Sequence, residues 1–129
     1  MSDGRSARDD ELGAVFVYGT LLPGEELWTI LAPFAHEVCE AVAYGRLFDT
    51  GLGYPGAVFE ESPSIVPGVR VTVDRDQWPD LIEMLDEIED EGRLFHRRPV
   101  QTSAGPAVSY EWMGATKILR LLPKGWRSR

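Results

Sequence analysis

Short apolar runs separated by turn residues recur along this chain, and they predict more strands than helices. Residues 14–18 are rich in Val and Phe and end at Gly19, which is typical of a buried first strand. In residues 66–73, valines alternate with polar residues, so one face of that strand is predicted to be apolar and the other polar. Further strands are predicted at residues 38–48, 56–60, 94–102 and 107–113.

Two segments carry apolar residues at helical spacing. Residues 25–34 predict a short helix, because Pro33 disfavours its continuation. Residues 76–89 predict a longer one, with Asp76 as N-cap and Pro79 in the first turn. Its apolar stripe consists of Trp78, Leu81, Ile82, Leu85 and Ile88. Many strands with two helices predict an α+β domain whose sheet is strongly curled or closed into a barrel.

Composition places limits on the class of protein. A chain of 129 residues fits one domain, expected over residues 13–129 after a polar, disordered tail at 1–12. The net charge of −8 repels phosphate backbones and anionic bilayers, so neither nucleic acid nor membrane is an expected partner. The single Cys39 cannot form an internal disulfide, and no apolar run suits a membrane span, which favours the cytoplasm. We expect a monomer or a weak homodimer.

Glu89 is the candidate acid. On a helical wheel it follows Ile82 by seven positions and Leu85 by four, within the apolar stripe, whereas Glu83, Glu87, Asp90 and Glu91 point away. Desolvation and the negative end of the helix dipole would both raise its pKa, which suits a general acid/base near neutral pH. Alternatively, the helix ends before Glu89 and its side chain reaches solvent. The other acids, Asp80 and Asp86 among them, are expected on a solvated face.

The loop Tyr18-Gly19-Thr20-Leu21 is the candidate binding site. Because Gly19 follows a buried strand directly, the backbone there can approach a ligand closely and offer N–H groups to an anion such as a carboxylate. Thr20 adds a hydroxyl. The alternative is a plain turn, since the Pro23-Gly24 pair downstream is also a turn signal.

Other motifs give little support for a cofactor or a metal. Residues 51–56 match the glycine spacing of a dinucleotide-binding loop, but Pro55 and the strand predicted next exclude the helix that such a loop requires. His36 and His96 have no carboxylate or Cys neighbours at ligand spacing. We therefore expect neither a cofactor nor a metal.

The segments at residues 15–21 and 85–89 resemble the gamma-glutamylcyclotransferase-like (AIG2-like) family. Further matches keep the family order at residues 45–48, 54–57 and 95–98, then Tyr110, then Gly125-Trp126. The resemblance implies a small, curled, mixed β-barrel with flanking helices and a cavity where loop amides hold the carboxylate of a γ-glutamyl substrate. It implies that Glu89 moves the proton as that substrate cyclises to 5-oxoproline and releases an amine or amino acid.

Two positions depart from the family pattern. Phe95 stands where many members have Tyr, although the hydroxyl of Tyr110 could enter the same cavity. Asp90 replaces the Gly that usually follows the acid, which could shift the helix end by one residue. These departures motivate a second hypothesis, a non-catalytic module that binds small carboxylates. A third is a structural domain with an empty cavity.

Overall fold

A curled sheet of seven strands and two α-helices make up the part of the chain that the computed structural model describes, residues 12–128. Most of the tail predicted at residues 1–12 lies outside the described residues, but Leu12 already belongs to the first strand. The elements are β1 (Leu12–Val17), α1 (Trp28–Leu31), β2 (Ala35–Asp49), β3 (Pro55–Phe59), β4 (Ile65–Asp74), α2 (Trp78–Ile88), β5 (Phe95–Thr102), β6 (Gly105–Trp112) and β7 (Arg120–Leu121).

Five of the strands close into a mixed barrel in the order β1-β4-β2-β3-β6. The neighbours from β1 to β3 are antiparallel, whereas β6 runs parallel to both β3 and β1. A bridge between Val15 and Val108 completes the ring. Outside it, β5 pairs with β6 and β7 pairs with the end of β2. The predicted α+β class with a curled, mixed β-barrel is therefore confirmed.

Strand β1 is buried on both faces. Val15 and Val17 pack in one apolar cluster with the buried residues of α2, whereas Phe16 and Tyr18 pack in a second cluster with Trp126. This alternation follows from the two-residue period of a strand. Because the strand is fixed from both sides, the loop that leaves its end starts from a rigid position.

Helix α1 is shorter than predicted. It begins at Trp28 instead of residue 25, because backbone bonds fold the preceding segment into turns: Glu25 N–H donates to Leu22 O at 2.9 Å, and Leu27 N–H donates to Thr20 O at 2.9 Å. A 3₁₀ turn containing Pro33 follows directly, as the proline requires.

Helix α2 carries the expected apolar face, but its start was predicted wrongly. Residues Arg75–Gln77 form a 3₁₀ turn, so Gln77 and not Asp76 occupies the N-cap position, without a side-chain cap bond. Pro79 lies in the first turn, as predicted. Leu81 and Leu85 are fully buried, and each contributes about 1.5–3 kcal/mol through burial. No helix in the described part of the chain is long and apolar enough to cross a membrane.

Candidate functional site

A cavity of about 380 Å³ opens between the loop that follows β1 and the C-terminal end of α2. Its volume suits a small-molecule ligand. The structure brings all six predicted site residues to its wall: Tyr18, Gly19, Thr20, Leu21, Glu89 and Tyr110. The fold thus brings three segments that are far apart in sequence to one cavity.

The loop that lines this cavity has unused backbone donors. Two of its carbonyls are bonded, since Gly19 O accepts from Leu22 N–H at 3.0 Å and Thr20 O accepts from Leu27 N–H. The N–H groups of Gly19, Thr20 and Leu21, in contrast, donate to no acceptor within residues 12–128. Adjacent free N–H groups on a concave wall can bind an anion.

Gly19 is required for packing as well as for backbone approach. A Cβ at this position would lie 2.6 Å from Cγ and 2.7 Å from Cδ of Pro55. The proline ring is rigid, so any side chain here displaces either the loop or the start of β3. The local sequence pattern did not predict this contact.

Tyr18 fixes the start of the loop through the hydrogen bonds of its hydroxyl. Its hydroxyl donates to the backbone carbonyl of Tyr110 at 2.5 Å and accepts from Ala57 N–H at 3.3 Å. Burial, and then the nearby carboxyl of Glu89, raises the pKa of this phenol well above its usual value. Tyr18 is therefore a neutral, fully engaged buried group.

Glu89 agrees in part with each of the two predictions made for it, a buried acid on the helix and an acid beyond the helix end. The helix does end before it, at Ile88, yet the side chain stays on the cavity wall and is partly buried. Its N–H still donates to Leu85 O at 2.8 Å, which prolongs the helical path by one residue. Its carboxyl makes no hydrogen bond or ion pair within residues 12–128, and burial raises its pKa to about 7.

Asp90 keeps the turn that a glycine would make at this helix end. Its φ of 54° lies in the left-handed region. Asp90 N–H donates to Glu87 O at 3.2 Å and Glu91 N–H donates to Asp86 O at 2.9 Å, which is the Schellman pattern. Replacing glycine by Asp therefore leaves the helix end in place, with Asp in a conformation that suits glycine better.

Three acids around the end of α2 have surroundings that the wheel did not predict. Glu87, which is exposed, and Asp90 both line the cavity, and Asp90 does so in the left-handed turn that follows the helix. Asp86, expected on a solvated face, accepts from the hydroxyl of Tyr110 at 2.6 Å and from Arg97 Nη1 at 2.5 Å. The wheel could place Asp86 on the helix but could not show which strands lie against it.

Aromatic rings form the apolar part of the wall. Phe95 and Tyr54 both line the cavity with ring centroids 6.0 Å apart, and Phe95 lies 5.4 Å from Trp112 in an edge-to-face contact. Phe95 brings no hydroxyl to this wall. The hydroxyl of Tyr110, which could have replaced it, is bonded to Asp86.

The basic C-terminal end packs away from the cavity. Trp126 is buried in the cluster around Phe16, and Arg127 donates to Pro23 O at 2.6 Å, which braces the segment following the binding loop. Among residues 12–128, no three His, Cys, Asp or Glu side chains lie together as a metal site would need.

Three solved structures illustrate what the fold is similar to. YkqA from Bacillus subtilis superposes with a TM-score of 0.69 at 24% identity, over 91% of this chain and 40% of that chain. An AIG2-like protein from Mus musculus has a TM-score of 0.67 at 15% identity, covering 88% and 87%. The uncharacterized protein PH0828 from Pyrococcus horikoshii has a TM-score of 0.61 at 24% identity, covering 88% of each. These likenesses concern the fold, and this chain spans less than half of YkqA.

A comparison with curated proteins found no match. The family described as gamma-glutamyl cyclotransferase, AIG2-like, matches residues 15–128, which include the second half of β1, the cavity lining and the buried Trp126. The chain therefore belongs to the gamma-glutamyl cyclotransferase, AIG2-like family.

Proposed function

We propose that this protein is a γ-glutamyl cyclotransferase that converts a small γ-glutamyl compound into 5-oxoproline and a free amine or amino acid. One observation carries the proposal: Glu89, whose carboxyl is unpaired, and residues 19–21, whose three N–H groups are unused, line the same cavity. This combination supplies an anion-binding wall and a proton-transfer group within one small space.

The reaction is an intramolecular acyl transfer. The α-amine nitrogen of the glutamyl group attacks the side-chain carbonyl carbon and forms the C–N bond of the ring. The bond from that carbon to the leaving nitrogen breaks, and the leaving nitrogen takes up the proton that the amine has lost. No oxidant or co-reactant enters this balance.

Glu89 moves the proton. In the ionised form it accepts a proton from the attacking amine, and in the protonated form it returns that proton to the leaving nitrogen. A pKa of about 7 keeps both forms populated near neutral pH, which favours a group that must act as base and then as acid. Because Glu89 has no partner in the described chain, no ion pair must break first.

The loop holds and orients the substrate. The N–H groups of Gly19, Thr20 and Leu21 bind the α-carboxylate or the developing oxyanion, where preorganised donors are most effective. Holding the glutamyl chain folded brings amine and carbonyl together, and orientation of this kind can supply several kcal/mol of the barrier. The leaving group then lies along the aromatic wall of Tyr54 and Phe95.

The test is 5-oxoproline release from a panel whose leaving groups are an amino acid, the side chain of lysine, and simple amines. We expect turnover with at least one of them and a loss of about 10²–10⁴-fold in Glu89→Gln. Glu83→Gln, an exposed acid on the same helix, is the matched control and should keep wild-type activity. Undiminished turnover in Glu89→Gln would rule out the proposed role of this residue.

The non-catalytic alternative predicts a different outcome. Compounds of the panel would then raise the thermal midpoint in a saturable manner without forming product. Phe95 and Asp90 motivated this alternative. We rank it second because Glu89 is retained, and because Asp90 leaves the helix end in place.

A further inference from the structure

Tyr110 contacts both halves of the site with different atoms. Its backbone carbonyl accepts from the hydroxyl of Tyr18, the residue that begins the binding loop. Its side-chain hydroxyl donates to Asp86 Oδ1, in the last turn of α2. One residue of β6 is thus bonded both to the loop and to the helix end that carries the acid.

Asp86 is held from a second direction by the neighbouring strand. Arg97 on β5 is the direct cross-strand partner of Tyr110, and its Nη1 donates to Asp86 Oδ2. Both carboxylate oxygens are therefore bonded to adjacent positions of the β5–β6 pair. The backbone carbonyl of Asp86 also accepts from Glu91 N–H, which closes the turn containing Glu89. Any shift of Asp86 consequently moves Glu89.

We propose that Tyr110, acting through Asp86, is a positioning residue that fixes Glu89 relative to the Gly19–Leu21 loop. The effect of this positioning on catalysis rests on the proposed cyclotransferase function. The positioning itself, in which the Tyr110 hydroxyl keeps Glu89 in the cavity wall, can be tested without turnover.

The pKa of Glu89 reports on the position of its side chain, because a carboxyl that leaves the cavity wall becomes solvated. The groups that face it are Tyr18 at the end of β1, Tyr54 before β3, and its own neighbours Glu87 and Asp90. The phenols are neutral, and Asp90 pairs with Arg93 at 2.5 Å. Burial is thus the main influence on the pKa of Glu89, and loss of burial lowers it.

Tyr110→Phe is the most informative variant. It removes only the hydroxyl and leaves the carbonyl that holds Tyr18. It also leaves the charge unchanged, because burial and the bond to Asp86 raise the pKa of Tyr110 and keep the phenol protonated. Tyr44→Phe is the matched control, since Tyr44 is 63% exposed and is not among the residues that line the cavity.

The first measurement is a ¹³C NMR titration of the Glu89 carboxyl in the full chain, assigned by its absence in Glu89→Gln. We expect a midpoint near 7 in wild type and in Tyr44→Phe, lowered by roughly one pH unit in Tyr110→Phe. An unchanged midpoint in a folded Tyr110→Phe variant would overturn the proposal. This readout is independent of activity, so it separates failure of the positioning role from failure of the proposed function.

The second measurement is steady-state kinetics with whichever γ-glutamyl compound is turned over. In Tyr110→Phe, kcat should fall about tenfold or more while KM changes less than about twofold, because the loop N–H groups remain in place. Asp86→Asn should act in the same direction, and the double variant should be no worse than the poorer single variant. Strictly additive losses would contradict a shared route through the Tyr110–Asp86 contact.

Discussion

Gly19 lies directly against the ring of Pro55, so close that a Cβ at position 19 would be 2.6 Å from Pro55 Cγ. This contact joins the binding loop to the start of β3 and restricts movement of the loop backbone at its second residue. It therefore limits substitution at position 19 more strictly than a turn would.

Gly19→Ala should impair binding and stability together. Because the proline ring is rigid, the loop or the start of β3 must move, at a cost of about 1–3 kcal/mol in the free energy of unfolding. KM, or the midpoint of ligand-induced thermal stabilisation, should worsen by at least about tenfold. Urea denaturation and steady-state kinetics measure the two effects.

Gly24→Ala is the control within the same segment. A Cβ there meets nothing within 4 Å, but the φ of 89° makes the substitution cost about 1 kcal/mol through backbone strain alone. Stability should fall while KM stays near the wild-type value. An equal loss of binding in both variants would show that the Gly19–Pro55 contact has no special role.

Glu89 should make the folded protein less stable as the pH rises. Its pKa is about 7 when folded against 4.5 for the free side chain, so the native state binds this proton more tightly. The free energy of unfolding therefore falls between these two values, by at most about 3 kcal/mol, and stays at the lower level above them. Urea denaturation at about pH 5 and about pH 8 should show a smaller decrease in Glu89→Gln than in wild type.

Ionisation of Glu89 should increase catalytic activity, although it lowers the stability of the fold. Because the ionised carboxylate begins the reaction, kcat/KM should fall as the pH drops through about 7, and this limb reports the free enzyme. A limb near pH 4.5 would contradict the prediction, because the carboxyl of Glu89 would then titrate like a free side chain.

Asp90 offers a test of backbone strain at the helix end. Asp90→Gly should be more stable than Asp90→Ala by about 1 kcal/mol, because only glycine adopts φ near 54° without cost while both variants lose the exposed pair with Arg93. Thermal or urea unfolding of the two variants gives the difference. Equal stabilities would indicate that the turn relaxes when the carboxylate is removed.

The sequence predicted the strands and the fold class well, because alternating valines and apolar runs are local signals. It also selected Glu89, since a wheel shows which acid lies within an apolar stripe. It could not show that the helix ends one residue earlier, because the left-handed turn at Asp90 depends on bonds to Asp86 and Glu87.

Contacts between elements that are distant in sequence could not be predicted from local sequence patterns. Asp86 looked like any other acid on a solvated face, because its partners Tyr110 and Arg97 come from a hairpin later in the chain. Likewise, nothing near Gly19 in the sequence points to Pro55, which reaches it only when β3 lies in the barrel. Such contacts need the three-dimensional register of the strands.

The Tyr18–Tyr110 hydrogen bond joins residues 92 positions apart. Since β6 also closes the ring against β1 through a single bridge, no chain fragment that emerges early in synthesis contains both walls of the cavity. Long-range strand pairing of this kind is slow relative to helix formation. In a refolding experiment, recovery of ligand binding should therefore coincide with the last, slowest phase and not with the early gain of helical signal.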